Sequence, residues 1–119
     1  YPHLGTLPPE KIEYELAASK AALEKRLGQV VDCFAYPGGI RRYGDLNCKT
    51  EQILIRCGYQ MACTSIFGRN GFGQNPYELK RIGIGRADTL PVFMAKVSGA
   101  CDWIENVQTA FQQVFKNVY

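Results

Sequence analysis

Histidine is almost absent from this chain: His3 is the single histidine among 119 residues. Catalytic zinc ions are usually held by three protein side chains, and histidine is the commonest metal ligand. One histidine with no converging set of cysteine or acidic residues makes a poor zinc site. We therefore expect His3 to be a solvent-exposed or helix-capping residue, although it is the one candidate metal ligand that the sequence offers.

Cysteine pairs with metal-binding or redox spacing are also absent. The chain has five cysteines, an odd number, and no C-x-x-C motif, so neither a zinc ribbon nor a redox pair is indicated. Most of the cysteines stand among apolar residues, which predicts buried free thiols. Free thiols favour a reducing compartment such as the cytoplasm. The five are Cys33, Cys48, Cys57, Cys63 and Cys101.

The sequence has no long apolar run and no basic stripe. A membrane-spanning helix needs about 20 consecutive apolar residues, and no such run occurs, so we expect no membrane span. The net charge is +3 and the pI is about 8.6, with the densest basic groups only pairs, at 25–26 and 41–42. Nucleic-acid-binding domains concentrate positive charge on one face, with a pI above about 9, so we expect no nucleic-acid partner.

The composition that remains is that of a folded domain. Apolar residues make up 46% of the chain and charged residues 21%, which provides for a core and argues against disorder. The length of 119 residues fits one ordinary domain. Because no internal repeat, low-complexity tract or linker divides the chain, residues 1–119 are predicted to form a single unit.

The clearest local signal predicts a helix over 9–27. Pro9 is well placed in a first helical turn and is followed by acidic residues, which suit the positive end of the helix dipole. Basic residues precede Gly28, and glycine commonly follows the last turn of a helix. Apolar residues recur at helical spacing, which predicts one buried face. That face consists of Ile12, Leu16, Leu23 and Leu27.

Strands and helices are predicted to alternate along the rest of the chain. Apolar runs at 30–36 and 59–66 predict buried strands, and 79–84 predicts a shorter third strand. The Gly- and Asn-rich segment 67–78 predicts a long loop. Alternating strands and helices indicate parallel strands in an α/β sheet or barrel. Trp103, near the start of the last predicted helix, is expected in the core. The later helices are predicted over 47–57, 90–97 and 102–118.

Four sequence stretches, taken in order, resemble one enzyme family. Residues 1–4 read YPHL, residues 34–39 read FAYPGG, residues 57–64 read CGYQMACT and residues 79–82 read LKRI. Together they span most of the chain, which resembles the polysaccharide deacetylases, the carbohydrate esterase family 4 or NodB-homology group. The resemblance implies an α/β fold: a partial (β/α) barrel with parallel strands, corresponding to the C-terminal half of a deacetylase barrel. It allows a periplasmic or secreted location besides the cytoplasm.

The resemblance also implies metal-dependent hydrolysis of the carbon–nitrogen bond in acetylated sugars. In that family a divalent metal, usually zinc, is held by an aspartate and two histidines and activates a water, and a second aspartate takes the proton. The Asp-Asp motif lies upstream of the histidines, and Tyr1 stands where the second histidine is expected. We therefore expect this chain alone to be inactive and not to bind the metal tightly. Acetylated polysaccharide is the partner expected for the parent domain.

The candidate site residues lie in the FAYPGG and LKRI segments. The resemblance implies that the backbone N–H of Gly38 donates to the oxyanion, and that Tyr36, Pro37 and Arg81 bind substrate. A glycine keeps the backbone donor but lacks the aromatic ring that the family has at this position. From the residues alone, a simple Pro-Gly turn explains the first segment equally well, and a structural salt bridge is favoured for Arg81.

Other functions remain open from the sequence. A non-catalytic carbohydrate-binding or interaction domain derived from the deacetylase fold would explain the absent ligands, and its loop aromatics would stack on sugar rings. An unrelated small α/β module would be a stable monomer without affinity for glycans. A half barrel, in contrast, has open strand edges, which predict self-association or association with the missing half. The loop aromatics are Tyr36, Tyr43, Phe67, Phe72 and Tyr77.

Overall fold

The computed structural model describes residues 3–41 and 44–116. Strands and helices alternate along the described chain in the predicted order. Two short 3-10 helices, at Leu4–Thr6 and Pro76–Glu78, were not anticipated. The helices and strands are α1 (Pro9–Leu27), β1 (Cys33–Ala35), α2 (Cys48–Arg56), β2 (Met61–Phe67), β3 (Leu79–Arg81), α3 (Leu90–Ser98) and α4 (Trp103–Lys116). The predicted end of the last helix, at 118, lies outside the described residues.

Helix α1 spans the predicted range because its two ends carry the expected signals. Pro9 occupies the first turn, where the N–H that proline lacks is not needed. At the other end, Gly28 takes a left-handed conformation with a φ of 68° and donates its N–H to the carbonyl of Glu24 at 2.8 Å. Lys25 and Arg26 in the last turn favour the negative end of the helix dipole.

The predicted apolar face of α1 is buried only in its N-terminal half. Ile12 and Leu16 are 5% and 1% exposed, whereas Leu23 and Leu27 are 47% and 57% exposed. Of the residues of α1, only Ile12 and Leu16 belong to the core cluster. The prediction of one continuous buried face is therefore wrong for the second half of the helix, because the core packs against its first half only.

The three strands form one parallel sheet in the order β1-β2-β3. Phe34 of β1 pairs with Ala62 of β2, and Phe67 of β2 pairs with Arg81 of β3. Both pairings are parallel, which confirms the predicted α/β fold with parallel strands. The two outer strands are shorter than predicted, because each pairs with β2 over a few residues only. The partial barrel stays a prediction.

Strand β2 alternates between buried and accessible side chains. Ala62, Thr64 and Ile66 are buried, whereas Met61 is exposed. The buried face packs against α1, α2 and the first 3-10 helix. The opposite face carries Met61 and, on β1, Cys33, so the described residues leave it partly open to solvent. The core cluster consists of Leu4, Ile12, Leu16, Tyr36, Ile53, Leu54, Tyr59 and Ala62.

Helices α3 and α4 leave much apolar surface exposed. Trp103, at the start of α4, is 61% exposed, so the prediction that it lies in the core is wrong. The reason is that α4 meets the sheet through a polar contact further along the helix: Gln108 accepts from the N–H of Phe67 at 2.9 Å and donates to the carbonyl of Ser65 at 3.1 Å. Within the described residues, no helix is long and apolar enough to cross a membrane.

All five cysteines are free thiols, as predicted. The predicted burial is wrong for Cys33 and Cys48, which are exposed, and the other three are partly buried. Neighbouring residues of a strand point to opposite faces, so Cys33 lies opposite the partly buried Phe34 on the open face of β1. Cys48 lies in the first turn of α2, where the buried residue is Thr50 and not Cys48.

Candidate functional site

The chain turns sharply after β1, at the carboxyl end of the sheet. We call residues 37–39 the glycine turn. Pro37 is half-buried, Gly38 is exposed and Gly39 is buried. The two glycines have φ angles of 78° and 60°, in the left-handed region that favours glycine. Because ligands bind outside the carboxyl ends of the strands in open α/β sheets, the glycine turn lies where a ligand site is expected.

One side of the glycine turn is fastened to the middle strand. The carbonyl of Gly39 accepts a hydrogen bond from the backbone N–H of Ser65 at 2.9 Å. A Cβ atom on Gly39 would lie 2.8 Å from the Ser65 nitrogen, which is closer than real side chains approach a backbone atom. Position 39 therefore requires glycine for two reasons, its left-handed conformation and this close approach.

The other side of the glycine turn touches His3. A Cβ atom on Gly38 would lie 3.1 Å from both Cε1 and Nδ1 of the His3 ring, and 3.7 Å from the Asp45 carboxylate oxygen Oδ2. The imidazole of His3 thus stands where a side chain at position 38 would project. The aromatic ring that the resemblance implies at this position is missing, and the structure brings the ring of His3 beside Gly38.

Asp45 links the start of the chain to the segment before α2. Its side chain is completely buried, and its Oδ1 atom accepts a hydrogen bond from the N–H of Gly5 at 3.0 Å. Its Oδ2 atom lies 3.5 Å from Nδ1 of His3, and both of these atoms are buried. That separation is an ion-pair distance, longer than an ordinary hydrogen bond. A buried carboxylate is expensive without partners, so these contacts hold Asp45, Gly5 and His3 together.

Gly38 is exposed, and its N–H makes no hydrogen bond to another residue among 3–41 and 44–116. The N–H of Tyr36, in contrast, donates to the carbonyl of Cys63 at 3.1 Å. A backbone donor that is not used within the fold, in a fixed turn, is the feature that an oxyanion site requires. The geometry is therefore compatible with the role expected for Gly38.

Tyr36 lies beneath the glycine turn and is part of the core. Its side chain is 4% exposed, its hydroxyl donates to the carbonyl of Tyr77 at 3.0 Å, and its ring meets the ring of Phe34 edge-on with centroids 5.4 Å apart. Burial raises the pKa of the Tyr36 hydroxyl far above its usual value. The ring is thus placed to support the turn from below, and a direct contact with substrate stays a prediction.

Pro37 faces an apolar groove rather than the sheet. The groove has a volume of about 390 Å³, and Pro37 lines it together with residues of β1, α1 and the first 3-10 helix. Its apolar lining consists of Leu4, Leu7, Leu16, Phe34 and Pro37. The groove is therefore adjacent to the glycine turn, and the expected contact of Pro37 with substrate stays a prediction.

Arg81 is connected to the glycine turn through β2. Its guanidinium donates to the carbonyl of Thr64 and to the hydroxyl of Ser65, the latter at 3.0 Å. Ser65 in turn donates its N–H to Gly39. In the described structure Arg81 thus makes structural hydrogen bonds across the sheet and no ion pair, although a salt bridge was favoured from the sequence. Its contact with substrate stays a prediction.

The described residues do not assemble a metal site. No group of three or more histidine, cysteine, aspartate or glutamate side chains within residues 3–41 and 44–116 is arranged to hold a metal ion. His3 has a carboxylate beside it, but a pair of ligands falls short of the three that catalytic zinc requires. Tyr1 and Tyr43, to which the sequence had drawn attention, lie outside the described residues.

Two residues of this site could not be recognised from the sequence. Asp45 is separated from Gly5 by 40 positions, and Ser65 lies inside an apolar strand. No local pattern marks either residue, because their contacts with the glycine turn arise only when β1, β2 and the first 3-10 helix come together. A buried acidic residue is detectable only once its burial is known.

Comparison with known proteins identifies the fold. The structure is similar to that of the Streptococcus pyogenes deacetylase PplD in complex with acetate, with a TM-score of 0.70 and 27% sequence identity. The similarity covers 80% of this chain and 40% of the deacetylase, so the matched region spans about two fifths of that protein. No protein-family model and no curated protein matches the sequence. The chain therefore has a deacetylase-like α/β fold.

Proposed function

We propose that this chain is part of a metal-dependent polysaccharide deacetylase, a hydrolase that removes acetyl groups from amide-linked acetylated sugars. The observation that carries the proposal is the structural similarity to the streptococcal deacetylase at 27% identity. Acetate, which that protein binds in its structure, is the second product when an N-acetyl group is hydrolysed. Because this chain corresponds to about two fifths of the deacetylase, the proposed activity belongs to a larger unit.

The glycine turn supports the proposal on chemical grounds. Hydrolysis of an acetamide passes through a tetrahedral intermediate whose oxygen carries negative charge, and backbone N–H groups stabilise such oxyanions. Gly38 is exposed, its N–H is unused within the described residues, and it lies between Gly39, which is bonded to β2, and the side chain of His3. In the proposed enzyme this N–H donates to the oxyanion, while the groove beside Pro37 contributes part of the wall.

The metal and the catalytic base have no place among the described residues. The resemblance implies a metal-binding aspartate, two histidines and a second aspartate, whereas His3 is the single histidine of the chain. Asp45 cannot act as the base, because its side chain is fully buried and one of its oxygens is bonded to the Gly5 N–H. We therefore assign the metal, proposed to be zinc, and the base to another segment of the parent domain.

A deacetylase assay tests this proposal. Acetate release from an acetylated chito-oligosaccharide is measured with added zinc or cobalt, for this chain alone and for a longer protein that includes the segment encoded upstream. We expect no release above blank from the chain alone and metal-dependent release from the longer protein. Metal-dependent release from the chain alone would contradict the assignment of metal and base to another segment. An inactive longer protein that contains the Asp-Asp and histidine motifs would contradict the deacetylase activity.

A non-catalytic carbohydrate-binding domain is the second candidate function. The observation that favours it is Phe72, which is fully exposed in the loop between β2 and β3. The faces of sugar rings stack on accessible aromatic rings, and burying such a ring in solvent-excluded contact is favourable. Among the other loop aromatics, Tyr36 is buried, and Tyr77 is partly buried with its hydroxyl bonded to the carbonyl of Tyr59 at 2.9 Å.

Binding without metal distinguishes the two functions. Affinity for chito-oligosaccharide is measured by calorimetry in the presence of a chelator, for the wild type, for Phe72→Ala and for Tyr14→Ala as a control. Tyr14 is 70% exposed on α1, so its removal reports the effect of losing an unrelated surface aromatic. A binding domain predicts chelator-resistant binding that Phe72→Ala abolishes and Tyr14→Ala preserves. Binding that is equal in all three proteins would exclude Phe72 as the sugar platform.

A further inference from the structure

Three segments that are distant in the sequence meet beside Gly38. The first 3-10 helix contributes His3, at its start, and Gly5; the segment before α2 contributes Asp45; and the glycine turn contributes Gly38. A Cβ atom on Gly38 would lie 3.1 Å from the His3 ring and 3.7 Å from Oδ2 of Asp45, and this oxygen is 3.5 Å from Nδ1 of the ring. The imidazole and the buried carboxylate thus lie side by side next to the turn.

The glycine turn needs such support because two successive glycines are the most mobile backbone that a chain can have. A hydrogen-bond donor stabilises an oxyanion effectively only if its direction is fixed before the reaction. Ser65 fixes Gly39 from one side, through the hydrogen bond of 2.9 Å to its carbonyl. On the other side, no backbone hydrogen bond to Gly38 is found within residues 3–41 and 44–116, and the side chain beside it is that of His3.

We propose that His3 and Asp45 are positioning residues for the Gly38 N–H: Asp45 orients the His3 ring, and the ring holds the glycine turn in its donor conformation. This inference rests on the proposed function of Gly38. It assigns His3 a role that requires no metal ion. It also gives the completely buried Asp45 carboxylate a role besides its hydrogen bond from the Gly5 N–H.

The contact between Asp45 and His3 has a direct spectroscopic consequence. Nδ1 of His3 faces the Asp45 oxygen Oδ2 at 3.5 Å, so the ¹⁵N shifts of the imidazole nitrogens report this neighbour. We expect these shifts to differ between the wild type and Asp45→Asn. Identical shifts in both proteins would overturn the orienting role of Asp45.

Ligand binding tests whether His3 and Asp45 position the Gly38 N–H. The ¹⁵N-labelled chain is titrated with sodium acetate, against sodium chloride at equal ionic strength, while the Gly38 amide signal is followed. We expect a saturable shift in the wild type and an affinity weaker by about tenfold in His3→Ala and Asp45→Asn, as for one lost ordering contact. His3→Asn should retain affinity within about threefold, because its planar side-chain amide can still fill part of the space beside Gly38. Asp88→Asn, which removes a carboxylate paired with Lys96 elsewhere, serves as the control.

The possible outcomes separate this inference from the proposed function. If the Gly38 amide of the wild type does not respond to acetate, the proposed role of Gly38 fails, and the inference fails with it. If Gly38 responds with the same affinity in the wild type, His3→Ala and Asp45→Asn, the donor role stands and the positioning role is overturned. A variant that loses its dispersed amide spectrum has unfolded, and the comparison then rests on the folded His3→Ala and His3→Asn pair.

A double-mutant cycle tests the contact between His3 and Gly38 without a ligand. It therefore tests the proposal even if a variant used in the acetate titration is too unstable for that experiment. Gly38→Ala introduces a Cβ atom 3.1 Å from the His3 ring, in addition to strain at a φ of 78°. His3→Ala removes the ring but leaves the backbone strain. We expect the free energy of unfolding to fall less on Gly38→Ala in the His3→Ala background than in the wild type. Equal losses in both backgrounds would show that His3 does not contact the turn in solution.

Discussion

Ser65 donates its backbone N–H to the carbonyl of Gly39 at 2.9 Å, and this bond fastens the turn after β1 to the middle strand of the sheet. Arg81, on β3, donates to the hydroxyl of the same serine at 3.0 Å. The candidate site is therefore supported by all three strands. Changes in this support should therefore alter the free energy of unfolding and ligand binding together.

Replacing Gly39 by alanine should destabilise the fold much more than replacing Gly28. Both glycines are left-handed, with φ angles of 60° and 68°, and alanine costs about 1 kcal/mol in that conformation. A Cβ at position 39 would also lie 2.8 Å from the Ser65 nitrogen, whereas at position 28 it would meet nothing within 4 Å. We expect a loss of more than about 2 kcal/mol for Gly39→Ala, measured by urea denaturation. Equal losses would contradict the close approach.

Replacing Tyr36 by phenylalanine should lower the free energy of unfolding by about 1 to 2 kcal/mol. The variant keeps the ring in the core but leaves the carbonyl of Tyr77 without the hydroxyl that bonds it at 3.0 Å. Tyr14→Phe is the matched control, because Tyr14 is 70% exposed and its change should have almost no effect. Thermal denaturation followed by circular dichroism provides the comparison. A stability of Tyr36→Phe equal to that of the control would mean that the hydroxyl does not contribute.

The thiol of Cys33 should react slowly for an exposed cysteine. The side-chain hydrogen bond to Asp32 raises the pKa of the Cys33 thiol, with further contributions from partial desolvation and from the negative charge of Asp32. A raised pKa lowers the thiolate fraction at a given pH, and the thiolate is the reactive form. Iodoacetamide labelling of Cys33 should therefore rise at a lower pH in Asp32→Asn than in the wild type. Superimposable pH profiles would contradict this influence of Asp32.

The free edge of β1 should mediate self-association at high protein concentration. Strand β1 is the first strand of the sheet order, with β2 on one side only among the described residues, and unpaired edges attract other strands. Ala35 is exposed on this strand, and a lysine there should weaken association. Ala17→Lys, on the exposed surface of α1, is the control for added charge. Sedimentation velocity provides the measurement, and a monomer at every concentration would contradict the prediction.

Local signals predicted the elements of this fold well. Helix α1 begins at Pro9 and ends before Gly28 as predicted, because proline and glycine act on their own backbone and need no partner. Asn47 caps α2 by accepting from the N–H of Thr50 at 2.9 Å, which is again a contact within one turn. Strand lengths were predicted less well, since a strand extends only as far as its neighbour pairs with it.

Burial was predicted less reliably than secondary structure. Leu16 and Leu27 share one predicted face of α1, yet Leu16 is 1% exposed and Leu27 is 57% exposed. Trp103 is accessible although its helical pattern is apolar. Periodicity shows which residues lie on the same face of a helix, but not how far the sheet that covers this face extends. The two leucines differ because Leu16 belongs to the core cluster and Leu27 does not.

The sequence by itself determined the helices, the parallel α/β class and the glycine pair of the turn, because these depend on contacts between near neighbours and on the conformations that each residue type allows. Only the tertiary structure decided that Asp45 lies beside His3 and that both side chains lie beside Gly38. These residues come from segments separated by up to 42 positions. Their meeting depends on how the sheet, the first 3-10 helix and α2 pack together, and no local pattern in the chain encodes that packing.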